Sequence, residues 1–414
     1  MPAVMRAGLI LAAFAASGCV FQQLDHDLSR MEDQAHLFAG FVSSEALEFH
    51  STVVVAMDDP GAERIVSFRM LAGEGAFEIR RAKAPTWFFA FADLNKDLRF
   101  QADEPYGWAA AGKAVIPEPQ QTPGVDITIG ASGQPGFPGA LIDEPLELHL
   151  NNYAKTHIGS VSSLDDPLFS AAQGRKGLWQ PFAFWEDGGT GLHFLEPYDE
   201  DKVPVLFVHG INASPQDFLS MIERLDRDRF QPWFMSYPSG LRLSWLSRGL
   251  FQFVEILHRQ YGFDELHIVA HSMGGLVARG ALNLCSENGT CDYVTSFTSI
   301  STPWDGVASA ESGVKWAPTV IPVWNDIYPA SEYLSTLFAV PLPDDLPHNL
   351  LFGFRQDRFL GAGSSDGVIA LSSQLRPEAQ DQATILRGFD EDHVSILHSD
   401  AVIENIFSLL ELSR

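Results

Sequence analysis

Leu266-His267-Ile268-Val269-Ala270-His271-Ser272-Met273-Gly274-Gly275 is the stretch on which the fold turns. An apolar run from Leu266 to Ala270 passes directly into His-Ser-Met-Gly-Gly, and the residues from Met273 to about Leu284 carry a helical pattern. A buried strand that becomes a helix within two residues belongs to a sheet wound with helices. The turn must be sharp, and small residues two before and two after Ser272 permit it: Ala270 and Gly274. A serine at such a turn is lifted above the sheet, with the following helix N-terminus beneath any developing negative charge.

The flanking sequence repeats the alternation. Val203–Val208, Gln231–Tyr237, Val294–Ile300, Leu350–Phe354 and Thr384–Gly388 read as strands, bounded by turn residues as buried parallel strands are. Helical patterns cover about Ser244–Gln260 and Ser395–Leu412. Pro181–Trp185 and Gly191–Leu195, on either side of Glu186-Asp187-Gly188-Gly189, read as an opening hairpin. The expected fold class is α/β, a doubly wound sheet.

At the end of the strand Val203–Val208 stands His209-Gly210-Ile211-Asn212. Acyl transfer needs backbone N–H donors aimed at an oxyanion. Met273, directly after Ser272, supplies one, and Gly210 lets this earlier loop approach so that Ile211 supplies the other. His-Gly-Ile-Asn-Ala-Ser and Ala-His-Ser-Met-Gly-Gly together resemble the serine lipases and esterases of the α/β-hydrolase superfamily, in particular bacterial lipases with Ala at the first elbow position and GPI inositol-deacylase-like hydrolases. The resemblance covers about residues 178–414. It implies a serine nucleophile, no catalytic cofactor, a small-molecule or lipid ester as substrate, and triad members in the order Ser, Asp, His.

Looking downstream in that order, Asp366 lies in Gly361-Ala362-Gly363-Ser364-Ser365-Asp366-Gly367, where it resembles the acid loop of such lipases; Asp305, after Ser301-Thr302-Pro303-Trp304, is the rival. His393 precedes the terminal helix, with His398 as the fallback base. Asp366 would orient His393, which would deprotonate Ser272. Ser239, in Ser236-Tyr237-Pro238-Ser239-Gly240, follows a strand but no helix starts there, so it reads as a decoy. About fifty residues separate the strand ending at Ile300 from that starting at Leu350, an insertion at about 303–347 far beyond the usual connection. Trp304, Trp316, Trp324, Tyr328 and Tyr333 suit a lid or pocket wall for an acyl chain, or a rigid cap that packs them inward.

The rest of the chain sets the context. Its 414 residues hold 27 Lys+Arg against 53 Asp+Glu, a formal net charge of −26, which repels phosphate backbones and excludes a nucleic-acid partner. Arg6 and the apolar run Ala7 to Ala16 read as an export signal over residues 1–18. Ala16-Ser17-Gly18-Cys19 resembles a bacterial lipobox, which implies lipidation of Cys19, a membrane anchor and a place in the cell envelope. The remaining cysteines, Cys285 and Cys291, flank an Asn-Gly turn and read as a disulfide. Residues 20–45 carry an amphipathic helical pattern through Leu24, Leu28, Met31, Ala35, Phe38 and Val42. Short strand-like runs from Leu47 to Ile129 suggest a small β-sandwich, so that 19–176 forms an accessory domain with a connector and 177–414 the catalytic domain. Within the former, Asp93, Asn95, Asp97 and Glu104 fall at calcium-loop positions 1, 3, 5 and 12, an expectation of structural Ca²⁺. An acyltransferase on the same triad, or a silent envelope-binding lipoprotein on this fold, is the alternative function.

Overall fold

A computed structural model describes residues 19–33, 35–44, 51–62, 65–82, 84–117, 124–144, 146, 157–290, 292–355 and 364–412. The signal segment 1–18 and Cys291, with the Cys285–Cys291 pairing, lie outside the described residues. Strands run in chain order as β1 (Ala35–Ser44), β2 (Thr52–Met57), β3 (Ile65–Leu71), β4 (Gly75–Ala82), β5 (Trp87–Ala92), β6 (Tyr106–Trp108), β7 (Ile127–Ile129), β8 (His157–Val161), β9 (Gly191–Phe194), β10 (Val203–Val208), β11 (Phe230–Ser236), β12 (Leu266–His271), β13 (Val294–Ile300), β14 (His348–Gly353) and β15 (Ile385–Phe389). The longest helices are α1 (residues 19–33), α2 (Leu243–Tyr261), α3 (Met273–Asn288) and α4 (Asp400–Leu412).

β8 to β15 form one eight-stranded sheet in the order β15-β14-β13-β12-β10-β11-β9-β8. β10 through β15 pair in parallel, β9 runs antiparallel to β11, and β8 lies parallel to β9. That is the doubly wound α/β-hydrolase arrangement. The central strands are apolar on both faces because helices cover both. One face packs Leu206, Ile268 and Phe297 under α2 and α3; the other packs Phe207, Val269 and Leu351 under α4. β12 emerges at the middle of the sheet and delivers Ser272 to its C-terminal edge, where the loops after β10, β14 and β15 also end.

The β-rich region is two sheets, β4-β1-β7 and β3-β2-β5-β6. Phe38, Val42, Phe77 and Ile79 of the first pack on Val54, Ala56, Phe88 and Ala90 of the second. The opposite face of β2 and β5 is buried too, with Val53, Val55, Phe89 and Phe91 in a cluster that includes Ile256 of α2. This explains why residues 53–57 and Trp87–Ala92 are apolar throughout instead of alternating.

Three expectations are corrected. The helical pattern over 20–45 splits: α1 ends at residue 33, and Phe38 and Val42 lie inward on β1. Their spacing of four fits a strand face as well as a helix face, since four is also a multiple of two. Pro181–Glu186 is a helix, not a hairpin strand; Pro181 is at its first turn, and the carboxylate of Asp27 in α1 accepts the amide hydrogens of Phe182 (2.8 Å) and Ala183 (3.0 Å). A cap donated from about 155 residues upstream leaves no local signal. The catalytic sheet begins with β8 at His157, inside the stretch read as connector, and Leu24 of α1 sits in the catalytic core, so the β-rich domain is an excursion between two parts of one domain. Among the described residues no helix is long and apolar enough to cross a membrane.

Candidate active site

Ser272 is the first residue of the turn from β12 to α3, at φ 54° and ψ −128°, a conformation that a non-glycine residue holds only where its surroundings enforce it. Its N–H donates to Ile300 O of β13 at 2.8 Å. The glycine is required: a Cβ on Gly274 would stand 2.3 Å from Val208 O of β10. The helix that follows leaves the Met273 N–H without an intrahelical acceptor. Gly210 approaches from the other side, so close that a Cβ on it would lie 2.9 Å from Ser272 Cβ. The loop bearing Ile211 is thus brought against Ser272.

His393 Nε2 is 2.9 Å from Ser272 Oγ, and His393 Nδ1 is 2.6 Å from Asp366 Oδ2. All three residues are buried. The other carboxylate oxygen of Asp366 accepts the amide hydrogens of Val368 (2.9 Å) and Ile369 (2.7 Å), so the loop's own backbone fixes the carboxylate. The His393 N–H donates to Asp366 O at 3.0 Å, tying acid and base loops together. The rivals fall elsewhere. Asp305 is exposed, with its amide bonded to Ser373; His398 is exposed and bonded to Ser220 Oγ at 2.9 Å.

Three further side chains lie near Ser272, Asp366 and His393. His271 donates Nε2–H to His393 O at 2.8 Å; burial, then the neighbouring His393, hold its pKa well below the ordinary value, so it is a neutral donor. Tyr237 donates its hydroxyl to His209 O, and Ser239, the supposed decoy, accepts from Asn212 N–H at 3.1 Å. His271 adjoins the nucleophile in sequence, which is a usable signal. For Tyr237 and Ser239 only the tertiary structure makes the link.

The insertion about 303–347 is three short helices, Ala308–Trp316, Trp324–Ile327 and Glu332–Thr336, firmly anchored. Asp326 accepts from Arg242 and from Leu243 N–H (2.7 Å), and Arg279 donates to Val340 O (2.7 Å). Trp304 is fully buried and Trp324 packs edge-on against Trp179, so these aromatics pack inward; Trp316 alone of the three is exposed. Val368 and Val394, 61% and 58% exposed, lie within two residues of Asp366 and His393 respectively.

The acidic loop turns inward on itself. Asp93 accepts the amide hydrogens of Asp97 (3.0 Å) and Leu98 (3.2 Å), Glu104 those of Leu94 (2.8 Å) and Gln101 (3.0 Å), and Asn95 donates to Asp97. Burial raises the pKa of Asp93, and that of Glu104 to about 7. Among the described residues no three His, Cys, Asp or Glu side chains are grouped to hold a metal ion. The oxygens expected to wrap calcium are directed at loop amides.

Residues 199–331, about a third of the chain, match a family described as "Putative serine esterase (DUF676)". That similarity spans Ser272 and supports a serine ester hydrolase. No curated protein matches the sequence. Solved structures similar to the chain include the mature lipase BlEst2 of Bacillus licheniformis (18% identity, 53% of this chain and 97% of that one, TM-score 0.43). The lin2722 gene product of Listeria innocua follows (17%, 51% and 94%, TM-score 0.39), as does phospholipase PlaB of Legionella pneumophila (16%, 42% and 45%, TM-score 0.37).

Proposed function

We propose that the protein hydrolyses carboxyl esters through an acyl-Ser272 intermediate. The observation that carries this is the Ser272–His393–Asp366 chain of contacts at 2.9 and 2.6 Å on a strand-to-helix elbow. Ser272 Oγ attacks the ester carbonyl carbon while its proton passes to His393 Nε2. The carbonyl oxygen becomes an oxyanion facing the N–H groups of Met273 and Ile211. Collapse breaks the C–O bond, and the alcohol leaves with the proton from His393. Water, deprotonated by the same imidazole, then releases the acid and frees Ser272. Asp366 holds Nδ1–H and stabilises the imidazolium at each stage.

The exposed Val368 and Val394 favour an acyl chain over a charged substrate. Across p-nitrophenyl esters of graded length, Val368→Ser and Val394→Ser are expected to lower long-chain relative to short-chain kcat/KM by about three- to tenfold, the worth of one or two methylene contacts. An unchanged profile in both variants would remove the support for an apolar substrate.

Export and anchoring through Cys19 belong to the same proposal. Cys19 is exposed at the start of α1, open to modification. Incorporation of labelled lipid that Cys19→Ser abolishes is the expected result, and a soluble wild-type protein would refute it. Catalysis is proposed to need no cofactor, so activity should survive EDTA. A fall in Tm on chelation, absent in Asp97→Asn, would restore calcium to the acidic loop.

A further inference from the structure

The turn after β11 touches the oxyanion loop at both ends. At its first residue, His209 O accepts the Tyr237 hydroxyl, and the two rings stack at 4.1 Å with 9° between planes. At its last, Asn212 N–H donates to Ser239 Oγ at 3.1 Å. Asn212 itself stands at φ 57°, left-handed backbone that an Asn tolerates but does not choose without a constraint. Between these two fixed points lie Gly210, packed against Ser272, and Ile211. The turn is held from its other side as well. Gly240 N–H donates to Gly177 O at 3.0 Å, Gly240 O accepts Val323 N–H from the insertion at 3.0 Å, and a Cβ on Gly240 would meet Leu178 O at 2.3 Å. Ser239 and Tyr237 are both buried.

We propose that Tyr237 and Ser239 are positioning residues that clamp the loop His209–Asn212 at both ends and so set the Ile211 N–H at oxyanion distance. The inference rests on the ester-hydrolase reading above. An oxyanion donor works only within a few tenths of an ångström of its place, and a four-residue loop pinned at one end could pivot out of it. Burial pushes the Tyr237 pKa upward, so the hydroxyl remains a donor throughout the working range; burial lowers that of His209 to about 4, so the stacked imidazole is neutral. Through Gly240 O the same turn carries a direct contact from the insertion to the clamp.

Tyr237→Phe and Ser239→Ala each delete one polar group without adding volume. On a short soluble ester each should lower kcat about tenfold while KM stays within about twofold. The inhibition constant of a trifluoromethyl ketone, whose adduct places an oxyanion in the same position, should rise by the same factor. A role in packing alone would not move that constant in step with kcat. Parent kcat and inhibitor affinity in both variants, with Ser272→Ala inactive, would overturn the clamp. Loss of fold in both, with Ser272→Ala folded, would assign the turn to stability and overturn it equally. Activity surviving in Ser272→Ala would instead refute the underlying reading.

Discussion

Ser272→Ala is expected to reduce kcat for ester hydrolysis by about a millionfold, equivalent to about 8 kcal/mol of transition-state stabilisation. Alanine removes the attacking oxygen and leaves the elbow otherwise intact, since φ 54° suits it no worse than serine. His393→Ala should lose a similar factor, because the 2.9 Å contact makes nucleophile and base one unit and removal of either disables both. The double variant should therefore be scarcely worse than either single one. Steady-state turnover of a soluble ester by unlabelled enzyme, with fluorophosphonate labelling of a separate sample, measures this. Near-parent turnover in Ser272→Ala would show that another residue is the nucleophile.

Asp366→Asn should cost about 10⁴ in kcat with little change in KM, the size of effect expected when a triad base is left in the wrong tautomer. Asp366 Oδ1 is committed to the amides of Val368 and Ile369, so the asparagine oxygen is best kept there. Its NH₂ group would then face His393 Nδ1 and place the imidazole proton on Nε2, where it cannot accept from Ser272. Asp305→Asn, at an exposed carboxylate away from Ser272, should leave kcat within about twofold. If the two variants behave the other way round, the acid is Asp305.

Where residues answer to their immediate neighbours, the sequence was readable. β10 and β13 fall on the expected spans, and α3 runs four residues past its expected end only because Gly289, in left-handed backbone, stops it there. Both arise from an apolar run bounded by turn chemistry. Ser272 directly follows β12, while Asp366 and His393 lie in the loops after β14 and β15, and the order Ser, Asp, His that led to them comes from the family resemblance. The remainder depends on partners distant in sequence. Asp27 caps a helix it does not adjoin, β8 joins the catalytic sheet from a stretch with no strong pattern, and Ser239 looked inert because its acceptor role needs Asn212 from another loop. The acidic loop is another case: its spacing suggests a cation, and in the fold Asp93 and Glu104 accept backbone amides of their own loop.

The docking of α1 also bears on the order of events as the chain is made. Its fifteen residues leave the ribosome before anything they bind exists, and an isolated helix of that length is marginal in water. The amides that Asp27 accepts come 155 and 156 residues later, and Thr319, which donates to Asp25 at 3.3 Å, comes 294 residues later. At about 5–20 residues per second, the first of these is a wait of about ten to thirty seconds and the second about twice that. Meanwhile the β-rich domain, whose strands pair among residues 35–129, can close on its own neighbours. The helix α1 therefore cannot dock until residues far downstream exist, and its docking joins it to the insertion after β13.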